Sequence, residues 1–498
     1  LLLVTFLGGV RLSRRIYREL GHSDREKGIL IYGAGDAGEM IVRDIINNPY
    51  YEYEPIGFLD DDPKKFGRRI HGLKVLGGRE VLAQVIKDKS PHAVLVAIPR
   101  AEPAMVRKLV RVLEPFKIPI MTLPNLRDVL GGRVEVSQIR NLSIEDLLER
   151  APVGLDSKPI EHLVKGKRVL VTGAGGSIGS ELSRQIARLD PSSLVLIDRY
   201  ENGLFAVSTE LVRRYGESVI QAVIGDVTDI ARMQKIFENY RPEIVFHAAA
   251  HKHVPLMEAS PCEAIKNNVR GTRILAELAA EFDVQRFILI STDKAVNPTS
   301  VMGATKRVAE MLTQVMNRRG ATIFSAVRFG NVLGSNGSVV PLFLDQIKAG
   351  GPVTVTHPDM RRYFMLIPEA VHLVLHAAAL AEGGEVFVLE MGEQIKIVDM
   401  ARNLIRLSGL VPDEDIAIQF TGCRPGEKLY EELVGMGEVV EPSEVPRILR
   451  VRTKPMENSE FYHRIMRMEQ LADSGEVKQA ADELKAILSP SLTPLVSS

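Results

Sequence analysis

Arg168-Val-Leu-Val-Thr172-Gly173-Ala-Gly175-Gly176-Ser177-Ile178-Gly179 joins a β-branched run to a glycine-rich turn, and a helical pattern follows at once. Glycines at such a turn let the backbone come close to a pyrophosphate, whose charge the helix N-terminus stabilises. Working outward, the apolar runs Leu194 to Ile197, Ile244 to Phe246 and Phe287 to Ile290 alternate with helical segments. That alternation predicts a parallel sheet covered on both faces, a doubly wound α/β domain.

Gly173, Gly175, Gly176, Ser177, Ile178 and Gly179 are therefore the candidate cradle for a dinucleotide. Asp198 closes the next strand, about 20 residues further on, where a carboxylate accepts hydrogen bonds from both ribose hydroxyls and repels a 2′-phosphate. NAD is the expected cofactor on that ground. Arg199 keeps NADP as the alternative, because a guanidinium can bind the extra phosphate. Asp226, followed by Val227, comes after the third strand and is placed for the adenine edge.

A second start of the same kind lies upstream. Ile29 to Tyr32 feeds Gly33-Ala-Gly35-Asp-Ala-Gly38, a helix from Glu39 to Asn47, and strands at Pro55 to Leu59 and Ala93 to Ile98. The chain thus reads as two Rossmann-like doubly wound parallel-sheet domains, 21–144 and 166–456, the second with a smaller substrate-binding lobe mostly after Gly330. Pro152, Gly154 and Pro159 mark 145–165 as a connector, and 457–498 is a charged tail of helical period. Asp60, Asp61 and Asp62 offer the first domain a ribose carboxylate, yet no catalytic constellation follows them. An occupied and a vestigial nucleotide site fit that domain equally.

The apolar segment Leu1 to Val10 precedes Arg11, Arg14, Arg15 and Arg18. It is shorter than the about 20 residues that cross a bilayer, so residues 1–20 read either as the end of a clipped transmembrane helix with its basic flank or as a short amphipathic helix. The first reading places the chain on the cytoplasmic face of an inner membrane. Lys and Arg total 63 and Asp and Glu total 63, so no global field draws the chain to nucleic acid, and no basic run carries interleaved aromatics. Cys262 and Cys423 form no CxxC pair, which argues against a disulfide framework and a structural zinc.

Phe287-Ile-Leu-Ile-Ser291-Thr292-Asp293-Lys294 ends a strand in four polar residues, and Ala295-Val-Asn297-Pro298-Thr-Ser-Val-Met302-Gly-Ala-Thr-Lys306 follows. The spacing resembles that of the extended short-chain dehydrogenases/reductases, in which a strand-end Ser or Thr and a Tyr-x-x-x-Lys pair bracket a nicotinamide and a sugar. Met302 stands in the tyrosine place here. A thioether exchanges no proton, so that work must pass to other groups. With Thr292-Asp293-Lys294 before it, this substitution resembles the membrane-associated, CapD-like UDP-N-acetylglucosamine 4,6-dehydratases of bacterial polysaccharide biosynthesis. The likeness extends over nearly the whole chain, through His247-Ala-Ala-Ala-His251-Lys252-His253, Asn268-Val-Arg-Gly271-Thr272, Arg328-Phe-Gly330-Asn331, Arg362-Tyr-Phe-Met365 and Arg424-Pro-Gly426-Glu427-Lys428.

The resemblance implies a tightly held NAD and a UDP-N-acetylhexosamine substrate. It implies that Thr292 holds the C4 hydroxyl while its hydride leaves, Lys294 removes the C5 proton, Asp293 protonates the departing C6 oxygen and Lys306 binds the nicotinamide ribose. Burial and a cationic neighbour are expected to bring Lys294 down toward a useful pKa. The resemblance adds Ala248, Ala249, Ala250, Lys252 and Asn268 to the cofactor wall. To the nucleotide-sugar contacts it adds Lys252, His253, Glu258, Asn331, Ser338, Val339, Arg362, Arg424 and Glu427. Arg361 departs from the small polar residue common at its place.

Structural readings compete with these. Met302 suits a core, Asp293 suits a helix N-cap, Lys294 and Lys306 suit a solvated surface, and the arginines suit surface ion pairs. His251 and His253 read as a metal pair lacking a third ligand or as a loop beside the sugar, and Glu258 as a site residue or a helix charge. Among functions, a C5-inverting dehydratase, a C4 epimerase and a non-catalytic nucleotide sensor are the alternatives. Ala259 to Glu281 and Gly303 to Asn317 are the helices expected to pair across a homodimer or higher oligomer.

Overall fold

The computed structural model describes residues 27–48, 51–98, 101–123, 139–147, 155–452 and 458–488. The basic flank and apolar segment of residues 1–20 lie outside that range. Among the described residues no helix is long and apolar enough to cross a membrane. The chain forms two compact units, one of Leu1–Arg150, Gln346–Val353 and Met400–Ile418, the other of Ala151–Asp345, Thr354–Asp399 and Gln419–Ser498. The lobe after Gly330 therefore does not belong wholly to the second unit. Lys117 pairs with Asp415 at 2.8 Å and Arg406 with Glu114 at 2.8 Å, contacts that tie the segment around residues 400–418 into the first unit.

The first unit carries β1 (Lys27–Tyr32), β2 (Tyr53–Leu59), β3 (Ala93–Val96), β4 (Ile120–Thr122) and β5 (Arg140–Asn141) in the order β2-β1-β3-β4-β5. Only β4 and β5 run antiparallel. Helix α1 (Asp36–Asn47) follows the glycine turn and buries Ile41, Val42 and Ile45, which are spaced one helical turn apart. Asp60 serves this turn: its Oδ2 accepts from the Ala34 amide and from Lys65 Nζ, both at 2.8 Å.

The second unit is built on nine strands. They are β6 (Arg168–Thr172), β7 (Ser193–Asp198), β8 (Ile220–Ile224), β9 (Ile244–His247), β10 (Arg286–Ile290), β11 (Ile323–Arg328), β12 (Val386–Leu389), β13 (Val439–Pro442) and β14 (Ile448–Arg452). Their order is β8-β7-β6-β9-β10-β11-β12-β14-β13, parallel as far as β12, and the order reverses beside β6. Val169, Leu170 and Val171 have no accessible surface, as a strand covered on both faces requires. Helix α2 (Ser177–Ala187) closes over one face and buries Leu182 and Ile186, worth about 1.5–3 kcal/mol each.

The presumed connector contains a helix, Lys158–Val164, whose Ile160 and Val164 join the core of the second unit. Three apolar residues, Ile160, Leu163 and Val164, in seven make too short a period to stand out beside Pro159. Of the segments expected to pair between subunits, Ala259 to Glu281 contains α3 (Gly271–Glu281) and Gly303 to Asn317 overlaps α4 (Val301–Met316), and each of these helices turns apolar residues to the chain's own C-terminal helices. Helices α5 (Asn458–Asp473) and α6 (Val477–Leu488) place Phe461, Ile465, Met468, Ala480, Leu484 and Ile487 in the same apolar cluster as Leu275, Leu278, Val308 and Leu312.

Candidate active site

Loops at the C-terminal ends of the parallel strands enclose a cavity of about 1150 Å³, joined at Gly173, Gly176, Ala248 and His251 to a smaller one of about 210 Å³. This is where a doubly wound sheet binds ligands, at the reversal of strand order. Gly173 has φ +68°, and a Cβ on it would lie 2.6 Å from the Ala249 amide nitrogen. At Gly175 a Cβ would come within 2.7 Å of the Leu204 amide nitrogen. Glycine alone permits these approaches, so Gly173, Gly175 and Gly176 line the larger cavity as bare backbone beside Ser177, Ile178 and Gly179.

Asp198 lines the smaller cavity with Val227, Ala248, Ala249 and Ala250. Its Oδ2 accepts from the Gly175 amide and its Oδ1 from the Tyr200 amide, both at 2.9 Å, so one carboxylate fixes the glycine turn and the strand end together. Arg199 donates to Asp226 Oδ2 at 3.2 Å and to His251 Nε2 at 2.8 Å. The guanidinium is thereby committed, which weakens the case for a 2′-phosphate there. Asp226 Oδ1 accepts from the Thr228 amide and hydroxyl at 2.9 and 2.8 Å. Burial raises the Asp226 pKa, but these bonds and Arg199 outweigh it and hold the group below its ordinary range. Asn268 does not line either cavity: its amide fixes the His251 backbone at 2.8 and 3.0 Å and donates to Thr305 Oγ1 at 3.0 Å, while neighbouring Asn267 lines the smaller cavity.

His247 at the end of β9 sits between Thr172 Oγ1 at 2.8 Å and Thr272 Oγ1 at 3.0 Å. Burial, then the charge of Lys306, pushes its pKa down to about 3, so it is a neutral strut. Lys306 is 5 % exposed and lines the larger cavity, and among the described residues its ammonium has no hydrogen-bond partner. Burial brings it down to about 8 against the opposing pull of Glu310.

The strand-end residues divide between structure and site. Ser291 also lines the larger cavity, but its hydroxyl is turned to structure, donating at 2.6 Å to Glu310, which is buried against Arg328. Thr292 faces the larger cavity and caps the short turn Asp293–Ala295, its Oγ1 accepting from the Lys294 amide at 3.4 Å. The cap is thus Thr292, not Asp293. The Thr292 hydroxyl donates to Asp293 Oδ1 at 2.9 Å, and Lys294 Nζ donates to the same oxygen at 3.0 Å and to Asn331 Oδ1 at 3.1 Å. Asp293 itself has no accessible surface and does not line the cavity, and among the described residues its Oδ2 has no hydrogen-bond partner.

Glu431, a residue the sequence reading passed over, completes this group. It lines the cavity at 4 % exposure, with Oε1 3.6 Å from Lys294 Nζ and 3.8 Å from Arg362 Nε, and among the described residues its Oε2 has no hydrogen-bond partner. Burial lowers the Lys294 pKa, but the charges of Asp293 and Glu431 raise it by more. The expected lowering is therefore corrected: in the resting site the amine is held as an ammonium. Glu431 lies just beyond the quoted Arg424-Pro-Gly426-Glu427-Lys428, and nothing in local spacing separates it from Glu432.

Met302 is 3 % exposed, packed with Met257 and Ala264, and still lines the cavity. Lys252, His253, Asn331, Ser338, Val339, Arg362, Arg424 and Glu427 line it too. Burial lowers both Lys252 and His253, and Lys252 Nζ donates to the Asn336 carbonyl at 2.7 Å. Glu258 does not line it. Its carboxylate accepts at 2.6 Å from the Val301 amide at the start of α4, satisfying a donor with no intrahelical partner. Among the described residues no three His, Cys, Asp or Glu side chains gather as a metal site would need.

Residues 169–453 match the family described as polysaccharide biosynthesis protein, and residues 1–124 match a family described as CoA-binding domain. The chain is 47% identical over 438 residues to the capsular polysaccharide biosynthesis protein CapD of Staphylococcus aureus, covering 87% of this chain and 73% of that protein. To the probable polysaccharide biosynthesis protein EpsC of Bacillus subtilis it is 46% identical over 445 residues, covering 89% of this chain and 74% of that one. Among solved structures, Pen from Bacillus thuringiensis aligns with a TM-score of 0.53 at 34% identity, over 59% of this chain and 90% of that one. An extended short-chain dehydrogenase/reductase domain following a CoA-binding-like Rossmann domain, together with these identities, means that the chain belongs to the polysaccharide biosynthesis protein family.

Proposed function

We propose that the chain is a nucleotide-sugar 4,6-dehydratase acting on UDP-N-acetylglucosamine in the making of a bacterial polysaccharide. The observation that carries this reading is the hydrogen-bonded group in which Thr292 and Lys294, both on the cavity wall, share the buried carboxylate of Asp293, with Met302 where a tyrosine would otherwise exchange protons. The cradle fits NAD: Gly173 and Gly175 have room for no side chain, Asp198 stands at the strand end, and Lys306 offers an unpartnered cation to a ribose. When bound, that coenzyme supplies a hydride acceptor for C4 and returns the hydride to C6.

The chain's own residues supply the proton chemistry. Thr292 holds the C4 hydroxyl and passes its proton along the 2.9 Å bond to Asp293 Oδ1. Oxidation at C4 acidifies the C5 hydrogen, which Lys294 removes as a base, and Asp293 returns its proton to the departing C6 oxygen. Arg362 and Arg424, on the cavity wall, suit forked hydrogen bonds to the diphosphate, and Glu427 suits a ribose hydroxyl.

The test is incubation of the purified protein with UDP-N-acetylglucosamine and no added coenzyme, read by mass and NMR. Loss of one water with a 4-keto, 6-methyl product supports the reading, and the C5 configuration separates retention from inversion. Unchanged mass with a C4-inverted sugar would make it an epimerase, and an unaltered substrate would defeat both.

A further inference from the structure

We propose that Glu431 stores the proton of Lys294 during turnover, so that the amine becomes a base without releasing that proton to water. The inference rests on the dehydratase reading above and deepens it. It begins from a conflict in the site. Lys294 must be an amine to remove a C5 proton, yet the resting cluster of Lys294, Arg362, Asp293 and Glu431 holds two cations against two carboxylates and keeps Lys294 charged.

Asp293 cannot resolve that conflict alone. Its Oδ1 already accepts from Thr292 and Lys294, and it must be free to take the C4 hydroxyl proton. Glu431 is placed for the other proton: Oε1 is 3.6 Å from Lys294 Nζ, Oε2 is unpartnered, and the side chain is 3 % exposed. Of the groups facing Lys294, Asp293 and Glu431 are negative, Arg362 is positive and Asn331 is a neutral acceptor. Lys294 keeps 21% of its side chain accessible from the cavity. A sugar filling that space removes water from the ammonium, and desolvation favours the neutral amine and carboxylic acid over the ion pair.

The proton count then closes. Lys294 gives one proton to Glu431, leaving amine and acid. The C4 hydroxyl proton would reach Asp293 through Thr292 as C4 is oxidised, for which a bound nicotinamide coenzyme would supply the hydride acceptor. Lys294 takes the C5 proton, the C6–O bond breaks, and Asp293 protonates the leaving oxygen to give water. The hydride returns to C6, Lys294 reprotonates C5, and Glu431 hands its proton back to Lys294. The site ends as it began, and the sugar has lost one water.

The experiment compares wild type with Glu431→Gln from pH 6 to 9, the dehydration rate being read alongside acetylation of Lys294 by acetic anhydride. In the wild type the amine forms within the site, so the rate is expected to be flat near neutrality. The variant must lose the Lys294 proton to solvent. Its rate should be at least about tenfold lower at pH 7 and climb about tenfold per pH unit, while Lys294 acetylates at lower pH than in wild type because a neighbouring negative charge is gone. A variant whose rate follows the wild-type profile overturns the proposal, as does one inactive at every pH with unchanged acetylation. If the wild type itself removes no water, the dehydratase reading fails instead.

Discussion

Arg328 grips Glu310 through two hydrogen bonds of 2.8 Å, in a place where neither side chain touches solvent. Arg328 also reaches Glu438 at 2.8 Å, and Arg307 closes the network on both carboxylates at 3.0 and 3.3 Å. Burial raises the Glu310 pKa, but Arg328 and its partners outweigh it and leave the group at about 2. Because the folded pKa lies below the unfolded one, the stabilisation is complete above about pH 4.5 and is lost as pH falls toward 2. Glu310→Ala leaves the buried Arg328 guanidinium with Glu438 alone and should cost about 3–5 kcal/mol in urea unfolding at pH 7. The variant should also lose much of the wild type's acid sensitivity below pH 4.5.

Ser291 and Thr292 are adjacent hydroxyls with opposite duties. Ser291→Ala removes a hydrogen bond to a buried carboxylate, so stability should fall by about 1.5–3 kcal/mol while kcat stays within a few-fold. Thr292→Val keeps the shape and removes the relay to Asp293, so kcat should fall by about a hundredfold or more, alongside a stability loss of the same size as that of Ser291→Ala for the bond lost to buried Asp293. Thermal melts and steady-state kinetics on the two variants decide the division. Equal losses of activity would refute it.

The sheet, the glycine cradle and the strand-end cluster were legible because each is local in sequence: a short continuous apolar run, a turn, or four consecutive polar residues. What was hidden depends on distant partners. Glu431 meets Lys294 only because the chain returns after more than a hundred residues, and no residue beside it marks it out from Glu432. Glu258 looked like a site residue from its motif, but its carboxylate is used by the Val301 amide. The sign of the Lys294 shift was missed for the same reason, since burial alone pulls an ammonium down and only the folded position of two carboxylates reverses it.

Asp198 should govern coenzyme retention through two routes at once. It accepts from the Gly175 and Tyr200 amides, so Asp198→Ala both loosens the cradle and removes a ribose acceptor. Loss of charge-assisted bonds worth about 1.5–3 kcal/mol corresponds to about ten- to hundredfold weaker binding. The coenzyme remaining after gel filtration, released by heat and measured by absorbance, should drop well below that of wild type. Arg199→Ala should not lower NADP affinity, since the guanidinium is engaged with Asp226 and His251.

Helices α5 and α6 cover the faces of α3 and α4 and hold them with a buried ion pair. Arg273 donates to Glu469 at 2.8 and 2.7 Å, with Arg270 joining the same carboxylate at 3.3 Å, and Glu469 is 2 % exposed. Glu469→Ala leaves Arg273 buried beside only Glu277, and about 3–5 kcal/mol of stability should be lost. Replacing the pair by Arg273→Met with Glu469→Leu should recover most of it, because the cost lies in the stranded charge and not in the missing bond. Ending the chain before α5 goes further: it uncovers apolar side chains around Leu275, Leu278, Val308 and Leu312, now packed with Phe461, Ile465 and Leu484. An exposed face of that kind seeks another surface, so the shortened protein should self-associate more strongly than the full chain in sedimentation velocity. Unchanged association would mean that α5 and α6 shield nothing the rest of the molecule needs covered.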